Sequence, residues 1–206
     1  MKRLGILLSG RGSNFLAIQS AIAQGRLAGA EIAVVLSNKA DAPGLAAARV
    51  LGLPALHIPV VGRTPVERDL EFVAKLQEYQ VDFVCLAGYM RIISPQFVEA
   101  FPNCILNVHP SLLPSFPGLD AQGQALEFGA KVAGCTVHFV DEVMDHGVII
   151  LQRAVPVLDD DTDATLSARI LVEEHHAYPD AIGRVLSGEY EIRGRRFLKK
   201  TKPTAD

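Results

Sequence analysis

The chain contains no tryptophan, and aromatic residues make up only 6% of it. An interleaved series of aromatic platforms for nucleobases is therefore missing. An excess of one charge is missing too: 20 Lys and Arg stand against 23 Asp and Glu, a formal net charge of −3, which is too close to balance for polyanion binding to be the main task of the chain. Cys85, Cys104 and Cys135 are odd in number, widely spaced and set among apolar neighbours. They argue against a disulfide framework and a zinc site and for free thiols in a reducing compartment. Long apolar runs are also absent. The opening MKRLGILLSG has a charged head, but its hydrophobic stretch is broken by Ser9, Gly10 and Arg11, too early for a signal peptide or a membrane span. The expectation is a cytoplasmic protein with neither a membrane nor a nucleic-acid partner.

What the chain does have is apolar substance. Of its 206 residues, 49% are hydrophobic and 21% charged. At roughly 150 residues per domain this favours one sizeable domain, and surface scaling leaves about 9,400 of about 32,000 Å² exposed on folding, enough burial for a real core.

Short β-branched runs alternate with helical periodicity, the pattern of a parallel sheet with crossover helices. Leu4 to Leu8, Glu31 to Leu36, Ala55 to Ile58, Asp82 to Ala87 and Cys104 to Val108 read as strands, the last two so uniformly apolar that both faces must be covered. Between them, helices are expected from Asn14 to Gln24, from Pro43 to Leu51, and from Pro65 to Tyr79. The third of these has Thr64 and Glu67 placed for a capping box and an apolar stripe of Val66, Leu70, Val73 and Leu76. Further on, Cys135, Val137 and Phe139 alternate with Thr136 and His138, and Val148 to Leu151 follows a turn, so the second half reads as more open and partly antiparallel. A long helix from Asp163 to Leu186 carries Leu166, Ile170 and Ala177 on one side. Arg193 to Lys202 holds six basic residues in ten and reads as a solvated terminal segment.

In an open parallel sheet, ligands bind beyond the carboxyl ends of the strands. Three such places carry candidate chemistry. Ser9-Gly10-Arg11-Gly12-Ser13-Asn14 is a glycine turn opening onto a helix, where free N–H groups and the helix dipole favour a phosphate; alternatively it is a tight turn with Ser13 or Asn14 as N-cap. It is neither a dinucleotide fingerprint, since Phe15 occupies the third glycine position, nor a P-loop. Gly88-Tyr89-Met90-Arg91 follows the fourth strand. From the fifth, Asn107 and His109 lie two residues apart on one side of a strand end, ahead of a stiff loop with Pro110, Pro114 and Pro117. His109 is either catalytic or structural. His138 reads as a core histidine with a hydrogen-bonded partner, while His175 and His176 are adjacent on a helix and cannot converge on one metal. Asp159 to Asp163 reads as a solvated loop capping the last helix. Asp145, in a turn with Gly147, either brings a carboxylate toward another strand end or merely makes the turn.

At these residues the chain resembles the glycinamide ribonucleotide formyltransferases, folate-dependent enzymes of purine synthesis. The resemblance runs end to end through SGRGSN at 9 to 14, SNK at 37 to 39, LAGYMRIIS at 86 to 94, ILNVHPSLLPSFPG at 105 to 118, GCTVHFVDEVMDHGVIILQ at 134 to 152 and EHHAYP at 174 to 179. It implies one α/β domain over residues 1–206, an open, mostly parallel twisted sheet with helices on both faces. A phosphate-binding half would occupy about residues 1–100 and a folate and catalytic half about 101–206. It also implies formyl transfer from 10-formyltetrahydrofolate, as co-substrate and without a metal, to the amine of the ribonucleotide, by a monomer or homodimer. Asn107, His109 and Asp145 would be catalytic. Gly12, Ser13, Asn14 and Glu174 would bind the ribonucleotide, and Met90, Arg91, Ile92, Ile93, Asp141, Glu142, Val143 and Met144 the folate. The chain departs from the family pattern at Leu171, where a longer polar side chain is common, and at His146, often a glycine; Arg63 sits near the place of a family arginine but with shifted spacing. Formyltetrahydrofolate hydrolysis, or another use of the same co-substrate, is the alternative activity, and a non-catalytic nucleotide-binding module is the alternative outside catalysis.

Overall fold

Seven of the chain's apolar runs pair into one sheet: β1 (Lys2–Leu8), β2 (Ala30–Ser37), β3 (Ala55–His57), β4 (Phe83–Leu86), β5 (Ile105–His109), β6 (Val132–Phe139) and β7 (Ile149–Pro156), in the order β3-β2-β1-β4-β5-β6-β7. The computed structural model describes residues 1–201; Lys202, the last of the six basic residues of the tail, and residues 203–206 lie outside the described residues. The first five strands pair in parallel, and β5-β6 and β6-β7 are antiparallel. The partly antiparallel second half is thus as expected. After β1 the chain winds to β2 on one side and later returns to β4 on the other, so the loops that leave β1 and β4 flank a topological switch point, where such sheets bind ligands.

Helices cover both faces. α1 (Ser13–Ala23), α2 (Pro43–Val50) and α6 (Asp163–Leu186) bury Phe15, Ile18, Leu45, Ile170 and Tyr178 against one face, while α3 (Pro65–Glu78) and α4 (Pro95–Ala100) bury Phe72, Leu76 and Phe97 against the other. A further helix, α5 (Ala121–Phe128), follows the proline-rich loop. The capping box of α3 forms between Thr64 and Glu67, satisfying two of the helix's orphan donors. Its buried face is not the expected stripe, however. Val66 and Leu70 are 37% and 51% exposed, and Arg68 and Asp69 are buried beside Phe72, Val73 and Leu76. The helix is turned by the pull of a buried ion pair that a count of apolar residues does not register.

Two other expectations change. α1 has Gly12 as N-cap, at φ 74°, with no side chain capping it, so neither Ser13 nor Asn14 fills that role. The basic tail is also not a free segment. β8 (Tyr190–Arg193) and β9 (Arg196–Lys199) form a hairpin, in which Phe197 stacks on Tyr190 at 5.0 Å between ring centres and meets the edge of Phe139 at 5.6 Å. The aromatic contacts supply the burial that the charges alone could not. All three cysteines are free, and burial pushes the Cys85 thiol up to about 12, far from nucleophilic. Among the described residues no helix is long and apolar enough to cross a membrane.

Candidate active site

β5 ends with Asn107 and His109, and its antiparallel neighbour β6 sets His138 opposite Asn107 and Thr136 opposite His109. The pairing explains why His138, with only 1% exposure, is more than a core histidine. Its Nδ1 lies 2.7 Å from the Phe139 carbonyl oxygen. A carbonyl only accepts, so Nδ1 carries the hydrogen and Nε2 of the neutral ring presents a lone pair. Burial holds the ring's pKa below its ordinary value, against the raising effect of the Phe139 carbonyl and the Asp145 charge. Neutral Nε2 therefore accepts from the Asn107 side-chain Nδ2, 3.3 Å away, which turns the amide nitrogen toward the ring and leaves its second N–H free.

His109 is held from its other side. Nε2 donates to the Phe116 carbonyl at 2.9 Å, and Nδ1 is 3.5 Å from Asp145 Oδ2. The loop that supplies Phe116 is fixed by a buried hydroxyl, since Thr136 Oγ1 donates to the Ser111 carbonyl at 2.7 Å and accepts from the Leu113 N–H at 3.0 Å. Asp145 sits at φ 52°, in the left-handed region, and accepts from the Gly118 N–H at 2.8 Å; its other oxygen lies 3.9 Å from His138 Nε2. The turn can close only because residue 147 is glycine: a Cβ there would overlap the Phe139 carbonyl. Asp145 thus lies beside both His109 and His138, the ring that Asn107 contacts. A cavity of about 250 Å³ between Ser111, Phe116, Ala125 and Phe128 lies behind the proline-rich loop, and none of Asn107, His109 and Asp145 lines it.

The glycine turn and the 88–94 loop meet at the switch point through Ser9, whose hydroxyl donates to Asn38 Oδ1 at 2.6 Å and accepts from the Met90 N–H at 2.9 Å. Gly12 cannot be replaced freely, because its positive φ and the approach of the Gly44 Cα to 3.0 Å of an added Cβ both exclude a side chain. The uncapped N-terminus of α1 leaves its first N–H groups available to an anion. Asn14, by contrast, is turned inward. Its Nδ2 donates to Glu174 Oε2 at 2.7 Å, while its Oδ1 is buried with no partner among the described residues. α6 brings Glu174 there because Tyr178, one turn later on the same face, anchors the helix with its hydroxyl between the Leu86 and Leu106 carbonyls, at 3.1 and 2.9 Å. Burial raises the Glu174 pKa above the ordinary carboxylate value, partly offset by the Asn14 hydrogen bond.

Among the residues of the 88–94 loop, Met90, Arg91 and Ile92 are exposed and Ile93 is half-buried. The loop's backbone is held from α3: Arg68 donates to the Ile92 carbonyl at 2.8 Å and to Asp69 at 2.6 Å, and Asp69 accepts the Ser94 N–H at 2.5 Å. This accounts for the buried pair. On the 141–145 loop, Glu142, Val143 and Met144 are exposed and Asp141 is half-buried. Ile93 and Val140, at the roots of the two loops, pack on the same core cluster. Arg63 is paired with Glu71 on α3. Sequence reasoning missed His138, Arg68 and Asp69; only the alternation that puts His138 two positions from Thr136 hinted at the first.

A family model described as formyl transferase matches residues 2–182. The chain is 41% identical, over 89% of its length and 65% of the relative's, to a chloroplastic phosphoribosylglycinamide formyltransferase of Arabidopsis thaliana, and 46% identical, over 92% of its length, to part of the human trifunctional purine biosynthetic protein adenosine-3. It spans only 19% of that human protein and 15% of the Drosophila pseudoobscura one. Its fold superposes with a TM-score of 0.94 on a glycinamide ribonucleotide transformylase 1 from Symbiobacterium toebii, 52% identical, covering 97% of this chain and 94% of that one. A formyltetrahydrofolate deformylase from Pseudomonas syringae has the same fold at a TM-score of 0.89 but 26% identity, covering 96% of this chain and 65% of that one.

Proposed function

Because the chain belongs to the formyl transferase family, we propose that it transfers the formyl group of 10-formyltetrahydrofolate to the amine of 5′-phosphoribosylglycinamide, a step of purine synthesis. The observation that carries this reading is that Asp145 lies beside both His109 and the His138 ring that Asn107 contacts. In the transfer, a bond forms between the amine nitrogen and the formyl carbon and the bond from that carbon to N10 breaks. One proton leaves the amine and one arrives at N10, relayed by water.

As the amine attacks, negative charge develops on the formyl oxygen, and donors already aimed at it stabilise the transition state more than the ground state. Asn107 supplies the N–H that His138 leaves free. His109 is oriented from both ring nitrogens, by the Phe116 carbonyl at Nε2 and by the Asp145 carboxylate facing Nδ1. The 3.5 Å gap to Asp145 is longer than a hydrogen bond, which leaves Nδ1 open toward the oxyanion.

The binding roles follow from the same surfaces. Backbone N–H groups of Gly12, Ser13 and Asn14 at the α1 N-terminus hold the phosphate. Glu174 and the unpartnered Asn14 Oδ1 receive donors of the ribonucleotide. Met90, Ile92, Val143 and Met144, all more than half exposed, present apolar surface suited to the pterin and aryl rings of the folate, with Arg91, Ile93, Asp141 and Glu142 beside them. The first hundred residues thus supply the phosphate site and the rest the catalytic trio, with the 88–94 loop and Glu174 crossing between the halves. Free thiols and balanced charge support a cytoplasmic enzyme, monomeric or homodimeric, acting on small molecules. The test is an assay with both substrates and with each omitted in turn. Product should require both, whereas formate release at an undiminished rate without the ribonucleotide would make the chain a hydrolase and overturn the reading.

A further inference from the structure

The 141–147 loop carries Asp145 yet is mostly exposed, so something must hold its conformation. Two contacts inside it do part of this: Asp141 Oδ1 accepts the Val143 N–H at 2.9 Å, and His146 N donates to the Val143 carbonyl at 3.3 Å. The Gly118 N–H given to Asp145 at 2.8 Å holds it from the proline-rich loop, and the C-terminal hairpin, whose turn presents Arg195, holds it from the other side. Arg195 Nη1 lies over the His146 ring, 2.9 Å from Nε2 and 3.4 Å from Nδ1, its Nη2 donates to the His146 carbonyl, and His146 Nδ1 lies 2.9 Å from Asp141 Oδ2. A guanidinium can only donate and a carboxylate only accept. His146 Nδ1 therefore gives its hydrogen to Asp141, while Arg195 holds the residue through its carbonyl and the face of its ring, so that Arg195, His146 and Asp141 form one contiguous cluster. The hairpin is itself fastened at the loop's root, where Phe197 packs on Phe139, so it grips the loop at both ends with Asp145 between.

We propose that Arg195 is a positioning residue for formyl transfer. Through His146 it holds the 141–147 loop in the arrangement in which Asp145 faces His109, so that the formyl-donor side of the site is formed before the donor arrives. This rests on the reading of Asp145 and its loop as part of that site. Preorganisation of this kind lowers the ordering cost charged against binding. Once the donor is bound the loop is ordered in any case, so the effect falls on KM and not on kcat.

The experiment is steady-state kinetics on the full chain for Arg195→Ala, Arg195→Lys, His146→Ala and the double variant Arg195→Ala/His146→Ala, with Asp145→Asn alongside. Arg195→Ala should raise the KM for 10-formyltetrahydrofolate about 3- to 10-fold, the range of one or two ordinary hydrogen bonds. Its kcat and its KM for the ribonucleotide should stay within about twofold of the parent. Arg195→Lys, able to keep one of the two contacts, should recover part of the loss. In the His146→Ala background, removing Arg195 should cost less than it does alone, because the pair acts as a unit. Amide exchange at residues 141–147 of the empty enzyme should also quicken in Arg195→Ala. If Arg195→Ala changes only the melting temperature, or lowers kcat with KM unaltered, the proposal is overturned. If it is kinetically silent while Asp145→Asn is inactive, the strap fails and the role of Asp145 stands. If Asp145→Asn keeps full activity, the reading of the site fails and the proposal with it.

Discussion

His138→Leu separates a residue that acts on substrate from one that acts through a neighbour. The substitution keeps an apolar side chain of similar bulk but removes two contacts: the Nε2 that accepts from Asn107 at 3.3 Å and the Nδ1–H given to the Phe139 carbonyl at 2.7 Å. The first fixes which way the Asn107 amide points. One ordinary hydrogen bond is worth about 0.5–1.5 kcal/mol, so its loss weakens the productive orientation by roughly 2- to 12-fold, and the 3.3 Å length argues for the lower part of that range. Turnover should fall by about 3- to 5-fold, far less than the loss of the amide itself. The second contact leaves a carbonyl short of a partner, at about 1–3 kcal/mol of stability, readable in urea unfolding. Since the buried ring's pKa lies below the 6.5 of a free histidine, the unfolded chain takes up more protons below pH 6.5 and native stability declines as pH falls, until the folded ring titrates as well. His138→Leu should remove that slope. The decisive assay is the cycle with Asn107→Ala: if His138 works through Asn107, the double variant turns over no more slowly than Asn107→Ala alone. Additive losses, or a His138→Leu defect as deep as that of Asn107→Ala, would refute the reasoning.

Two further outcomes follow from the same geometry. Glu174 has a raised pKa in the folded state, so its contribution to stability is present below the unfolded value and is lost as pH rises through the folded one; Glu174→Gln, which can still accept from Asn14, should raise the melting temperature of the empty enzyme at pH 7 to 8 while weakening ribonucleotide binding, and an unchanged melting temperature would contradict the burial argument. Asp69→Ala strands Arg68 as a buried, unpaired charge and should cost about 3–5 kcal/mol in chemical denaturation; it also frees the Ser94 N–H and should raise the KM for the formyl donor, and a loss below about 1 kcal/mol would show that the pair is solvated after all.

The sheet was legible because its central strands are buried on both faces and so read as unbroken apolar runs. The antiparallel turn at β5-β6 was legible in outline from the alternation of Cys135, Val137 and Phe139. What the sequence concealed were places where a polar group is buried for a tertiary reason. The α3 face was misread because Arg68 and Asp69 are drawn inward by the Ile92 carbonyl and the Ser94 N–H, twenty-odd residues away. His138 looked like a core residue because its role depends on cross-strand register, which fixes its neighbour Asn107 only once the pairing is known. The hairpin of the tail was hidden by its charge: six basic residues in ten mask Tyr190 and Phe197, which do the packing. Asn107, His109 and Asp145 were within reach for the opposite reason. Asn107 and His109 sit at the carboxyl end of β5, where a parallel sheet leaves its ligands, and His109 is followed by a loop too stiff for ordinary structure; Asp145 stood out only as a carboxylate in a turn with Gly147, after the antiparallel β6.

The account stands most directly on Asn107 as a donor to charge that exists only in the transition state. Measured at saturating concentrations of both substrates, Asn107→Ala should lower kcat by about 10² to 10³ and leave both KM values within about threefold, as for loss of one oxyanion donor. Unchanged turnover, or a defect confined to KM, would contradict it.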